Sequence, residues 1–96
     1  MTSGTGYITN NTSLTELALP TTANPGDIIA VAGASNGGWT ITQGIGQTIH
    51  FGYQNSTTGT GGFLASTYKY DYVELLCIVA NTDFMVKASV GNLDIN

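Results

Sequence analysis

Apolar and polar residues alternate along this chain in short runs, and turn-forming residues separate one run from the next. In Ser13–Pro20 (SLTELALP) the alternation spans Leu14/Thr15, Glu16/Leu17 and Ala18/Leu19. Ile28 to Ala32 form a short apolar run between NPG and GASNGG. In WTITQ, Trp39 and Ile41 share one side and Thr40 and Thr42 the other; in QTIHF, Ile49 and Phe51 oppose Thr48 and His50. A period of two residues places alternate side chains on opposite faces of a strand. The longest apolar run is YVELLCIVAN, with Val73, Leu75, Cys77 and Val79 on one face and Glu74, Leu76, Ile78 and Ala80 on the other. It reads as a central strand that is apolar on both sides. ELALP and VELLCIVA contain good helix formers, but Gly, Pro or Asn intervenes before a helical stripe develops. The expectation is an all-β chain.

Turn chemistry orders these strands. Pro25-Gly26 fits a type II turn, where Pro presets one φ and Gly takes the next, positive one. Asn36-Gly37 lies between two alternating runs and predicts a type I′ hairpin pairing IIAVAG with WTITQ. Gly44-Ile45-Gly46 is short enough for a hairpin or a corner. Tyr53–Gly62 (YQNSTTGTGG) is a loop by composition, and FLASTYKYD is a weaker strand or an irregular crossing. Asn81-Thr82-Asp83 turns the long run into FMVKASVG, and NLDIN closes the chain. Strands at intervals of roughly 8–12 residues predict a sandwich, barrel or prism. An interleaved β-helix also fits, since periodicity does not encode strand order.

Length changes this picture by making a single chain hard to stabilise. Its 96 residues form one domain, 1–96, and a chain this short buries only about 60–65% of its unfolded surface. Cys77 is the only cysteine, so no internal disulfide forms, and no Cys/His cluster supplies a structural zinc site. Association of copies is the stabiliser left to a small domain.

Charged residues are 8% of the chain, against about 25% in an ordinary globular domain. Fifteen Thr, eight Asn, six Ser and thirteen Gly take their place, so solubility rests on hydroxyls and amides. The net charge is −4, and Lys69 and Lys87 are the only basic residues. Nucleic-acid binding displaces phosphate counterions with cationic groups, which this chain scarcely has. Anionic membrane surfaces are disfavoured for the same reason, and no apolar run approaches the ~20 residues that cross a bilayer. The opening MTSGTGYITNN lacks the basic and apolar regions of a signal peptide. No nucleic-acid partner, membrane insertion, metal or cofactor is expected.

Candidate chemistry is sparse. Gly33–Gly37 (GASNG) matches G-x-S-x-G, but a nucleophile elbow needs a following helix and a later acid and histidine. Here a strand pattern follows Ser35, and His50 precedes Asp71, the first acid beyond it. A small hydrolase is therefore the weakest reading. His50 has no carboxylate near it in sequence and reads as a surface or interface residue; on a three-fold axis it would also offer a metal ligand. Cys77 reads as a small buried hydrophobe. The carboxylates Glu16, Asp27, Asp71, Glu74, Asp83 and Asp94 are scattered, with Asp71 and Asp83 placed to cap turns. Tyr68, Tyr70 and Tyr72 alternate with Thr67, Lys69 and Asp71 and, if extended, share one face. Such a face builds a core, a subunit interface or a sugar-stacking platform. The same alternatives hold for Trp39. The candidate contact residues are thus Trp39, His50, Tyr68, Tyr70 and Tyr72. Asn11-Thr12-Ser13 and Asn55-Ser56-Thr57 match the glycosylation pattern, as chance allows at this Asn and Thr content.

Taken in order, GYITNN, LALPTTANPGD, GGWTITQGIGQTIHFG, TTGTGGFLAST and YDYVELLCIVANTDFMVKASVGNL resemble a known β-rich module. It is the module of bacteriophage tail-fibre and other virion proteins and of some large bacterial surface proteins. The resemblance runs from about Gly6 to Asn96, and its most specific part is GGW…Q…GQ.I.FG followed by the ELLC- and ANT-containing stretch from Asp71 to Asn92. It implies a trimeric, appendage-like architecture on a virion tail or an extracellular surface, and it carries over no catalytic residue. Such modules sit within or at the end of longer chains, so Met1–Gly4 is expected to be an added start or disordered. The sequence is thus read as a small all-β sandwich or prism that trimerises. Its role is structural, receptor-binding or both, toward a host-surface glycan or protein. The alternative is a free carbohydrate-binding module.

Overall fold

Ten short strands and no helix make up the chain in a computed structural model that describes residues 1–96. They are β1 (Gly6–Thr9), β2 (Thr15–Ala18), β3 (Ile28–Gly33), β4 (Trp39–Thr42), β5 (Thr48–Phe51), β6 (Gln54–Asn55), β7 (Phe63–Ala65), β8 (Tyr72–Val79), β9 (Asp83–Val90) and β10 (Asp94–Ile95). Each alternating run becomes a strand because one face of it can be buried. β3 buries Ile29 and Val31, β4 buries Trp39 and Ile41, and β8 buries Val73, Leu75 and Cys77.

Two mixed sheets face one another. The larger has six strands in the order β1-β3-β8-β9-β5-β6, and the smaller has four in the order β10-β7-β4-β2. Ile29, Val31, Val73, Leu75, Cys77, Phe84 and Ile49 enter the core from the larger sheet. Trp39, Ile41 and Leu64 meet them from the smaller, and Leu19 and Ala23 close one end. The molecule is a small β-sandwich, one of the architectures the strand spacing allows. Three pairings are parallel: β1 with β3, β2 with β4, and β5 with β9.

The expected β3–β4 hairpin does not form, because the two strands lie in different sheets. A type I′ turn needs positive φ at both central residues, yet positive φ occurs here at Gly38 and at neither Asn36 nor Gly37. The segment is a crossover strapped to the β1–β2 link. The Gly37 amide donates to Asn11 O at 3.2 Å, and a Cβ at Gly37 would collide with the carbonyls of Asn11 and Ser13. Glycine serves close approach here rather than a hairpin. Gly44-Ile45-Gly46 is likewise a corner between sheets, closed by Gln47 N donating to Gly44 O at 3.2 Å. Pro25-Gly26 behaves as expected: Gly26 has φ 96° and Asp27 N donates to Asn24 O at 3.0 Å.

Two buried glutamines hold the corner end together. Gln43 Nε2 donates to the carbonyls of Gln47, Thr57 and Gly59, and its Oε1 accepts from Ser56 Oγ. Gln47 Nε2 donates to Pro20 O and Asn81 O, and its Oε1 accepts from Gly44 N. Loop carbonyls that strands leave unpaired thus find donors inside the protein, as buried polar groups require. At the amino end, Met1 N donates to Ala18 O at 2.6 Å and Ser3 Oγ to the Asp27 carboxylate at 2.6 Å.

Candidate functional site

The five candidate residues do not form one site. Trp39 has no exposed surface, and its indole Nε1 donates to Asp71 O at 3.1 Å. It offers no ring face to a ligand and fulfils its core alternative, with a polar edge that needed a buried acceptor.

Tyr68, Tyr70 and Tyr72 do not share a strand face. The backbone reverses at Tyr68–Asp71, where Asp71 N donates to Tyr68 O at 3.2 Å and Tyr70 has φ 71°. Tyr70 thus occupies the third position of a turn of type II character, which ordinarily selects Gly or Asn. The buried Asp71 carboxylate secures this turn. One oxygen accepts from Thr67 N at 2.9 Å, Tyr68 N at 3.0 Å and Thr67 Oγ1 at 3.3 Å. Thr67 Oγ1 also bonds Asn92 O, tying the turn to the link after β9. Asp71 therefore caps backbone amides, the role its position beside a turn predicted. The result is a fixed projection with Tyr68 73% and Tyr70 68% exposed. Between them, Lys69 Nζ lies 5.0 Å from the Tyr70 ring centroid, within cation–π range.

Tyr72 begins β8 instead, in register with Ala32 on one side and Val90 on the other. It belongs to the outer face of the six-stranded sheet. Three rungs cross that face: Ile8–Ala32–Tyr72–Val90, Ala30–Glu74–Ala88 and Ile28–Leu76–Met85–His50. Glu74 is the one carboxylate or lysine among these residues. Ile8, Ile28, Ile78, Met85 and Val90 are exposed, so this face carries an open apolar patch, bounded at its β5–β9 end by His50 and Asp83. Burial beside Glu74 pushes the Tyr72 phenol above its ordinary pKa.

His50 lies at the edge of this face. Its Nδ1 meets Asn55 Oδ1 at 2.6 Å and its Nε2 meets Asp83 Oδ2 at 3.3 Å. The Asn55 bond, aided by Asp83 and opposed by partial burial, raises the imidazole pKa above its ordinary value. A carboxylate far away in sequence is thus supplied by the parallel β5–β9 register, which sets Thr48 beside Asp83 and His50 beside Met85. Asp83 was expected to cap a turn and binds His50 instead. Both ring nitrogens are thus engaged by neighbouring side chains, and no serine, threonine or cysteine nucleophile is bonded to either of them. Ser35 lies beyond the end of β3, and β8 and β9 separate β3 from the His50 strand. The G-x-S-x-G match is part of a crossover turn.

Cys77 is buried, and burial pushes its thiol pKa up, which keeps it protonated and unreactive. No three His, Cys, Asp or Glu side chains converge as metal ligands, and the surface has no pocket. No helix is long and apolar enough to cross a membrane. The sheet face and the Tyr68–Tyr70 projection are thus both open to contact with other molecules, as are the isolated side chains of Ile45 in the β4–β5 corner and Tyr53 in the β5–β6 turn. No family model, curated protein or solved structure matches this chain.

Proposed function

We propose that this chain is a non-enzymatic structural module that assembles with copies of itself through the outer face of its six-stranded sheet. The observation that carries the reading is that face: three rungs of Ile, Leu, Met, Val, Ala and Tyr, with Glu74 as their single acid and His50 at one edge. At ~4.8 Å between strands and ~3.3 Å per residue, β1, β3, β8 and β9, with 4, 6, 8 and 8 residues, give a flat footprint of roughly 400 Å². Corrugated side chains add to it, and a standard interface buries about 800 Å² per partner. A second copy suits the face better than a charged partner would, because the rungs have almost no charge to complement. Association also meets the stability need of a small domain without disulfide or metal.

Three copies meeting around an axis is the arrangement that the resemblance to phage tail-fibre and surface-protein modules implies. With it comes a place on a virion tail or an extracellular appendage. Sedimentation of the protein and of Leu76→Glu at micromolar concentration tests the interface. The expected result is a trimer that the substitution dissociates into folded monomers. Unchanged association in Leu76→Glu would place the interface elsewhere. The alternative of a free carbohydrate-binding module draws on the exposed Tyr68 and Tyr70, and a monomer that binds glycans would favour it.

A further inference from the structure

We propose that the Tyr68–Lys69–Tyr70 projection is a contact site for an acidic polysaccharide. Sugar rings would stack on the two phenols, and a sugar carboxylate would meet the Lys69 ammonium. The assignment rests on the non-enzymatic reading above and is independent of the oligomeric state.

The rings are presented rather than merely exposed. A buried carboxylate, Asp71, holds the turn from below through the amides of Thr67 and Tyr68. Little backbone freedom is then left to lose on binding. The left-handed backbone at Tyr70 costs energy that Gly or Asn would spare. That cost places a large aromatic at the apex of the turn, where it adds nothing to the core.

Lys69 supplies the charge preference. The chain's one ion pair is His50 with Asp83, so no carboxylate pairs with Lys69. The nearest acid in sequence, Asp71, is buried and directed at backbone amides. In a chain of net charge −4, an unpaired ammonium over the open Tyr70 ring is a local reversal of sign. Lys69 Nζ covers Tyr70 from one side only.

Neutral hydrogen-bonding groups surround the turn at this end of the sandwich. Gly33 N donates to Asp71 O, Ala34 N to Thr9 O and Gly37 N to Asn11 O, so the segments after β1 and β3 converge beside it. Asn10, Thr12, Ser13, Asn36 and Asn92 are exposed there. These groups lie on an open surface beside the projection, a setting that suits a chain of sugars lying across it.

Binding is measured on polygalacturonate and on polysialic acid, with fully methyl-esterified polygalacturonate as the neutral counterpart of the first. The expected result is binding to at least one acidic polymer, weakened at least tenfold in Tyr68→Ala and in Tyr70→Gly. Lys69→Gln should erase the preference over the ester, and added salt should do the same. Fluorescence of Trp39, the only tryptophan, reports that each variant keeps the core beside Asp71. No binding to either acid polymer, equal binding to the ester, or affinity unchanged in all three variants overturns the site. Release of new reducing ends would instead overturn the non-enzymatic reading, so the two failures are distinguishable.

Discussion

On β8, Val73, Leu75 and Cys77 point into the core shared with Trp39, and at most 1% of each remains exposed. On the same strand Leu76 is half-buried, Ile78 is 41% exposed, and their neighbours Ile28 and Met85 are exposed as well. The two faces have similar side-chain chemistry and opposite surroundings, because the four-stranded sheet covers only one of them. Burying a Leu or Ile fully is worth about 1.5–3 kcal/mol relative to leaving it exposed. A second face of that kind, left uncovered, marks a place where another surface belongs. Inner-face residues thus fold the chain, and outer-face residues are the ones through which we propose that it assembles.

The largest effects should come from the inner face. Trp39→Ala is predicted to cost about 3–5 kcal/mol and leaves the Asp71 carbonyl without its indole donor. Leu75→Ala should cost about 2–5 kcal/mol by urea unfolding. Leu76→Ala, one residue along, should cost well under half of that when measured on dissociated monomer. Equal costs for Leu75 and Leu76 in the monomer would erase the distinction between the faces. A smaller loss, about 1–3 kcal/mol, is expected for Gln43→Ala, which removes the side-chain donor to Thr57 O, leaves Gln47 O and Gly59 O with only their backbone donors, and takes the acceptor from buried Ser56 Oγ.

Tyr70→Gly should act in the opposite direction. Relief of the left-handed backbone gains about 1–3 kcal/mol, offset by roughly 0.4–1 kcal/mol of added unfolded-state entropy. A raised unfolding midpoint is therefore expected, and a lowered one would show that the Tyr70 ring contributes to the fold.

The smallest effect is electrostatic. The folded pKa of His50 is raised by Asn55 and Asp83. Its contribution to stability is then fully present below the unfolded value of about 6.5 and is lost as pH rises through the folded value. Stability followed from pH 5 to 9 should show a weak decline over that window, absent in His50→Gln. The same slope in both proteins would assign it to another group.

The strands themselves were legible in the sequence, because alternation records which face is buried. Trp39 with Ile41 and Val73 with Leu75 and Cys77 enter the core as their spacing indicates. Sheet membership was not legible. The Asn36-Gly37 pair carries a local hairpin signal, but the partner of Gly37 N is Asn11 O, a distant acceptor without a local signature. Parallel pairs are equally silent, and the β5–β9 register that brings Asp83 to His50 is one of them. The Tyr68–Asp71 turn was hidden because Tyr holds a place where Gly or Asn gives the usual signal. Asp71 following Thr67 and Tyr68, able to cap their amides, was its one trace. Outer-face exposure was the least legible feature, since an apolar residue reads the same whether its cover comes from this chain or from another.

The most direct measurement is the mass of the protein in solution by light scattering at about 10 μM. The account predicts a species near three times the 10.0 kDa of one chain, falling to one chain's mass in Leu76→Glu with strand content retained. A mass of 10.0 kDa for the unsubstituted protein at that concentration would contradict it.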